Sequence, residues 1–180
     1  MNITVYLGAT KGKNPNFELK CKELGAWIAK EGHTLIYGGS KTGLMGVLAE
    51  SAITNGGKAI GVEPQFFIDA EVQYDNLTEL IVTKDMNERK NKMIELGDAF
   101  IAFPGGTGTL EEISEVISKT SLKQLHVPCI FYNIDGFYNP LKSFFENLIK
   151  EGLSTENRLE CVHFANNIEE IASLLDNVNK

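Results

Sequence analysis

The segment "FPGGTGTLEE", residues 103–112, sets three glycines and two threonines just ahead of two glutamates. Gly105, Gly106 and Gly108 let the backbone turn tightly and present bare N–H groups. Thr107 and Thr109 add hydroxyl donors, and a helix opening behind them brings its positive N-terminal end. Phosphate or ribose phosphate is the natural guest of such a cradle. A carboxylate next to it would supply the opposite charge to another part of the same ligand. Pattern alone offers a rival role, because Thr109-Leu110-Glu111-Glu112 reads as a capping box in which Glu112 bonds back to the Thr109 amide. On pattern alone the cap is favoured over catalysis. With Ile113, Val116, Ile117 and Thr120 on the buried face, Glu111 points away from the core into solvent. Glu112 falls at the edge of that face, where it can look into a cleft.

A second group of chemically capable residues lies in "DMNERKNKMIELG", 85–97. Asp85 is placed as an N-cap and Gly97 as the helix stop. Met86 and Met93 mark an i, i+7 apolar stripe that Ile94 extends, and the positions between them are Arg89 and Lys90. Cations on a core-facing stripe are costly unless they meet anions. Snorkelling to solvent is the alternative, but two adjacent cations favour an anionic ligand or a carboxylate such as Glu112. A third glycine-bearing stretch, "YGGSKTGLMG" at 37–46, matches neither G-x-G-x-x-G nor a P-loop. Tight turns and close packing at Gly46 account for it as well as a ligand does.

These residues sit in a chain that alternates strands with helices. Strands are expected at 3–8, in "HTLIYGG", "KAIGVEP", "ELIVT", "DAFIAFP" and "PCIFYN", with a short one in "CVHF". Helices are expected at 16–32, in "LMGVLAESAITNGG", "MNERKNKMIELG", "LEEISEVISK" and "NPLKSFFENLIKEG", and near 167–178. Residues 64–77 read as irregular with a short helix. Such alternation implies βαβ units with right-handed crossovers. Several strands are apolar throughout, as when helices cover both faces. The expectation is a single Rossmann-like doubly wound α/β domain over 1–180, with a mostly parallel sheet. Ligands in such sheets bind at the carboxyl ends of the strands, which selects the loops at 8–15, 38–46, 63–70, 83–89, 104–109 and 133–139.

Composition narrows the class further. The 180 residues carry a net charge of -7, against a nucleic-acid surface, since phosphate backbones need a basic face. Cys21, Cys129 and Cys161 lack a C-x-x-C pair, and His33, His126 and His163 lack metal-ligand spacing, so no metal site is expected. No basic and apolar leader opens the chain, and no apolar run approaches the ~18 residues of a membrane span. A soluble cytoplasmic protein with reduced thiols is the expectation.

"PGGTGTLEE" matches the P-G-G-x-G-T-x-x-E motif of the LOG-type cytokinin riboside 5'-monophosphate phosphoribohydrolases, and "MNERK" their Arg-Lys helix. The chain resembles that family over nearly its whole length. "VYLGATKGKNP", "YGGSKTGLMG", "GVEPQFF" and "NIDGFYNPLKSFFENLIKEG" are similar to further family segments. The resemblance implies hydrolysis of the N-glycosidic bond of a purine nucleoside 5'-monophosphate, bearing adenine or an N6-substituted adenine, to free base and ribose 5-phosphate. It implies a homodimer with active sites near the interface and no metal or redox cofactor. Arg89 and Glu112 correspond to the catalytic pair. Gly105, Gly106, Thr107, Gly108, Thr109 and Lys90 correspond to substrate contacts, joined by Gly8, Gly39, Met86 and Ser118. Some relatives carry the label lysine decarboxylase, although nothing in the sequence suggests a pyridoxal phosphate site. Two departures bear on base recognition and the dimer contact: Ser118-Lys119 replaces the family's usual Thr-Trp, and 64–85 is longer than usual. The alternative is a nucleotide-binding or carrier protein of the same superfamily, like the molybdenum-cofactor carriers, in which Glu112 is only a cap.

Overall fold

The computed structural model describes residues 1–70 and 72–178. Seven strands form one parallel sheet: β1 (Asn2–Tyr6), β2 (Thr34–Tyr37), β3 (Lys58–Pro64), β4 (Glu79–Thr83), β5 (Ala99–Ala102), β6 (Cys129–Tyr132) and β7 (Val162–Ala165). Between and after them run α1 (Pro15–Lys30), α2 (Gly43–Thr54), the short α3 (Gln65–Asp69), α4 (Met86–Leu96), α5 (Thr107–Ser121), α6 (Asn139–Lys150) and α7 (Ile168–Val178). The doubly wound α/β expectation holds, and the short helix expected within 64–77 is α3. β-Branched and aromatic residues dominate β1, β2 and β4, where they suit a pleated, covered surface.

The spatial order is β4-β3-β2-β1-β5-β6-β7, so the winding reverses between β1 and β5. One face of the sheet packs Leu35, Tyr37 and Ile101 against Cys21, Leu24, Ile28, Leu44, Leu48 and Ile171 of α1, α2 and α7. The other packs Tyr6, Ile36, Val62 and Phe100 against Met93, Ile113 and Val116 of α4 and α5. Both faces are therefore buried, which explains the uninterrupted apolar strands. At the reversal, the loops leaving β1 and β5 part to opposite sides and open a crevice at the strands' carboxyl ends. There the Gly8 N–H donates to Pro104 O (3.4 Å).

Helix starts determine what points into that crevice. Asp85 caps α4 by accepting from the Glu88 N–H (2.9 Å), and Gly97 ends the helix as expected. Met86, placed by spacing on the apolar stripe, is instead 39% exposed, while Met93 and Ile94 are buried. Met86 faces a small cavity shared with Gly108 and Glu112 rather than the core. α5 also departs from expectation. Its N-cap is Gly106, which has no side chain to cap with, and the ladder begins with Leu110 N–H donating to Gly106 O (3.2 Å). Thr109 is thus inside the first turn, and the Thr109–Glu112 capping box does not form.

Candidate active site

Glu112 turns to Arg89. The Arg89 Nη1–H donates to Glu112 Oε1 at 2.7 Å, and both side chains are nearly buried, 10% and 11% exposed. A second bond fixes the guanidinium, with Nε–H donating to Val62 O at 3.0 Å. Its remaining edge lies against Gly38, where a Cβ would overlap Nη2 and sit 3.0 Å from Met45 Sδ. The glycine at 38 is required by this close approach of a side chain to the strand end. Arg89 is therefore held from three directions: the end of β3, the turn after β2 and the first turns of α5. Two parallel constraints on a planar fork leave little freedom for the charge.

Burial raises the Glu112 carboxyl above the ordinary range, and Arg89 partly restores its ionisation through charge and hydrogen bond. Tyr6 stands behind the pair, fully buried, with a hydroxyl lacking a hydrogen-bond partner; burial first and then the Glu112 charge raise its pKa. Beside them lies Lys90, whose Nζ bonds Glu111 Oε1 at 2.7 Å and approaches Glu115 Oε2 at 3.5 Å. Glu111 holds this contact while mostly exposed, and Lys90 is kept a firm cation. The two adjacent glutamates thus separate, one paired within the crevice and one at its rim.

The 105–108 turn stands between two cavities. One, of about 150 Å³, is lined by Met86, Asn87, Lys90, Gly108, Glu111 and Glu112. The other, of about 400 Å³, is bounded by the loop after β1, by Leu44, by Pro104 to Gly106, and by Phe17 and Phe137. Phe17 and Phe137 meet edge to face with centroids 5.5 Å apart. Asn14 and Asn16 fasten this wall, each donating to Asp135 Oδ2 (2.8 and 2.9 Å) across the loop after β6. The first-turn amides of α5 face this region without a side-chain cap, which leaves them for a ligand oxygen.

Most residues singled out from sequence converge on these cavities. Thr109 is buried, packed beneath Gly105, where any side chain would collide with its Oγ1. Gly106, Thr107 and Gly108 are exposed at the turn, and Gly8 lies across from Gly105. Gly39, at φ +85°, adjoins the Arg89 anchorage. Ser118 is not brought in: it lines a groove with Ser114, Phe145 and Arg158 on the far side of α5. Three turns of helix separate it from the crevice mouth. Glu63 was missed altogether. It is 1% exposed, its carboxyl lies against Gly39, and among the described residues neither oxygen has a hydrogen-bond partner. Burial pushes its pKa up to about 7, against the opposing pull of Arg89. The available signal was a lone glutamate closing the otherwise covered strand "KAIGVEP".

Residues 45–175 match the family model described as "Possible lysine decarboxylase". The chain is 42% identical over 155 residues to the cytokinin riboside 5'-monophosphate phosphoribohydrolase of Rhodococcoides fascians, spanning 86% of this chain and 78% of that one. It is 36% identical to the LOG enzyme of the same name from Oryza sativa subsp. japonica, over 97% of this chain and 72% of that one. The chain belongs to the LOG family. Solved structures with the same fold include the molybdenum cofactor binding protein of Rippkaea orientalis, at TM-score 0.75 and 24% identity over 99% and 97% of the two chains. The molybdenum cofactor carrier protein of Chlamydomonas reinhardtii is similar, at TM-score 0.74 and 25% identity over 99% and 98%. LOG-family membership accounts for the pairing of the P-G-G-x-G-T-x-x-E turn with an Arg-Lys helix, the two segments that the fold brings face to face.

Proposed function

We propose that this LOG-family chain is a nucleoside 5'-monophosphate phosphoribohydrolase, acting on adenine or N6-substituted adenine ribotides. The observation that carries the reading is the Arg89–Glu112 pair, a nearly buried carboxylate held at 2.7 Å by an immobilised arginine beside uncapped helix amides. Cleavage of an N-glycosidic bond builds positive charge on the sugar as the base leaves. Glu112, as an anion, stabilises that charge and takes a proton from the attacking water; that proton is then passed to the departing base nitrogen, which restores the carboxylate. Arg89 keeps Glu112 ionised and aimed in spite of burial. The α5 amides with the Thr107 hydroxyl receive the 5'-phosphate, while the buried Thr109 supports the turn from beneath, and Lys90 contributes charge from the rim. Gly8 supplies close backbone surface, Gly39 the clearance beside the Arg89 anchorage, and Met86 an apolar edge at the entrance.

The lysine decarboxylase label does not suit this chemistry. A Schiff-base lysine needs a depressed pKa, whereas Glu111 and Glu115 hold Lys90 as a cation. A carrier role would leave the Arg89–Glu112 geometry without a task. We further infer a homodimer that covers the sheet edge at β4, where Phe66, Phe67, Val82 and Met86 of α3, β4 and the start of α4 are exposed apolar side chains. Incubating the protein with a nucleotide panel, with free base and ribose 5-phosphate as readouts, tests the reaction. Release of adenine from AMP is expected. Nucleotide binding with no release would favour the carrier reading. Light scattering on a sizing column tests the dimer.

A further inference from the structure

Glu63 has no part in the chemistry just described, yet a fully buried carboxyl with two unpartnered oxygens is costly and calls for a reason. Its place in the fold is specific. A Cβ on Gly39 would lie 3.2 Å from Glu63 Oε2 and 3.3 Å from Cδ, and a Cβ on Gly38 would collide with the Arg89 guanidinium. The Gly38–Gly39 backbone is thus sandwiched between a carboxyl and an arginine, both approaching because neither residue carries a side chain. Arg89 also holds the carbonyl of Val62, the residue before Glu63. The 72–74 segment is hydrogen-bonded along this turn. Lys41 N–H donates to Val72 O (2.7 Å), Tyr74 N–H to Gly39 O (2.9 Å) and Ser40 Oγ–H to Val72 O (3.2 Å).

The groups facing Glu63 are few. Tyr37 on β2 shares its face of the sheet and has a buried hydroxyl without a partner. Gln73 and Tyr74 come from the covering segment, and Arg89 from α4 is the cation among the described residues whose charge acts on Glu63. The Arg89–Glu112 pair has its own neighbours in Tyr6, Glu111, Glu115 and Lys90. A single guanidinium therefore stands between two carboxyls, hydrogen-bonded to Glu112 and within the field of Glu63. If both acids were ionised, one cation would be divided between two anions in a nearly dry site.

Building on the phosphoribohydrolase reading, we propose that Glu63 is a positioning residue for this centre: as a neutral acid it leaves the charge of Arg89 undivided for Glu112, and as an anion it competes for that charge through the double-glycine turn. Ionised Glu63 weakens the hold of Arg89 on Glu112 and loosens the aim of that carboxylate, so turnover falls. The switch lies in the neutral range, since burial places Glu63 at about 7. Family relatives with an apolar residue at this position would lack the switch.

The chain has two arginines, Arg89 and the exposed Arg158, so their side-chain Nε–H resonances are easily told apart by NMR. The wild-type Arg89 signal is expected to shift with a midpoint near neutrality. In Glu63→Gln, which mimics the neutral acid, the step should vanish, and in Glu112→Gln it should persist. No step in the wild type, or an unchanged step in Glu63→Gln, would overturn the proposal. With AMP, wild-type kcat should drop about three- to tenfold from about pH 6 to about pH 8, and Glu63→Gln should stay flat. If no adenine is released at any pH, the hydrolase reading fails, while the Arg89 signal still decides the role of Glu63.

Discussion

Replacing Glu112 by Gln removes one negative charge and keeps the shape of the site. Arg89 can still donate to an oxygen at the position of Oε1, and its bond to Val62 O is untouched. No cap is lost, because Gly106 rather than Thr109 begins the helix. A carboxylate about 4 Å from a unit positive charge is worth about 4 kcal/mol at an effective dielectric of about 20. The sugar carries that charge only near the transition state, so the loss falls on kcat and amounts to about 10³-fold. The amides and Lys90 that receive the substrate remain, and KM should change by less than about threefold. Removing the anion leaves Arg89 with a neutral partner at a cost of about 1–3 kcal/mol, or about 2–4 °C in Tm for each kcal/mol. The assay is adenine release from saturating AMP, with a melting curve to establish that the variant is folded. A folded Glu112→Gln enzyme with kcat within about tenfold of wild type would refute transition-state stabilisation by this carboxylate. A loss confined to KM would make Glu112 a binding group.

Gly38→Ala places a methyl group against the Arg89 guanidinium and Met45. It should cut kcat by at least about tenfold through misplacement of the pair, measured beside a Tm that shows the fold survives. Ser118→Ala should leave kcat/KM within about twofold of wild type, since Ser118 faces the far groove of α5 and not the crevice. A large loss would mean that a partner subunit or a bound substrate reaches that groove. Glu63→Gln should also change how stability depends on pH. The folded pKa of Glu63, about 7, lies above the ordinary carboxyl value. Its stabilising contribution is therefore fully present at low pH and disappears as pH rises towards the folded value. Across that window the wild type should lose about 2–3 kcal/mol relative to Glu63→Gln, read as the difference between their urea midpoints at about pH 5 and about pH 8.

Much of this architecture was legible because its causes are local. Asp85 and Gly97 bound α4 through their own side chain and backbone preferences, and apolar strands between amphipathic helices specify a covered parallel sheet. The capping box failed for a physical reason that spacing does not encode. Gly106 can take the N-cap conformation without a side chain, so α5 starts earlier than its first hydroxyl cap. That shift releases Glu112 from Thr109 and turns it towards α4. Met86 failed likewise, since helical periodicity reports a face but not whether that face meets the core or a cavity. Glu63 was hidden because its environment is assembled from β2, β3, α4 and the 72–74 segment, which lie far apart in the chain.

Arg89 is the point at which these separate pieces become one device. Its Nε is committed to β3, its Nη1 to α5, and its remaining edge to a turn that must be glycine. A lysine could supply the charge but not three directions at once, because its donors share one freely rotating atom. The glycine signature after β2 is therefore read best as clearance for an arginine on one side and a carboxyl on the other. In the proposed reaction the cradle after β5 then needs no charge of its own, since uncapped helix amides favour a phosphate and Arg89 opposes the effect of burial on the neighbouring carboxyl. This division of labour explains how a chain of net charge -7 can hold an anionic nucleotide: local dipoles and one immobilised cation decide the potential in the crevice, and the acidic surface charge is screened within about 10 Å at moderate salt.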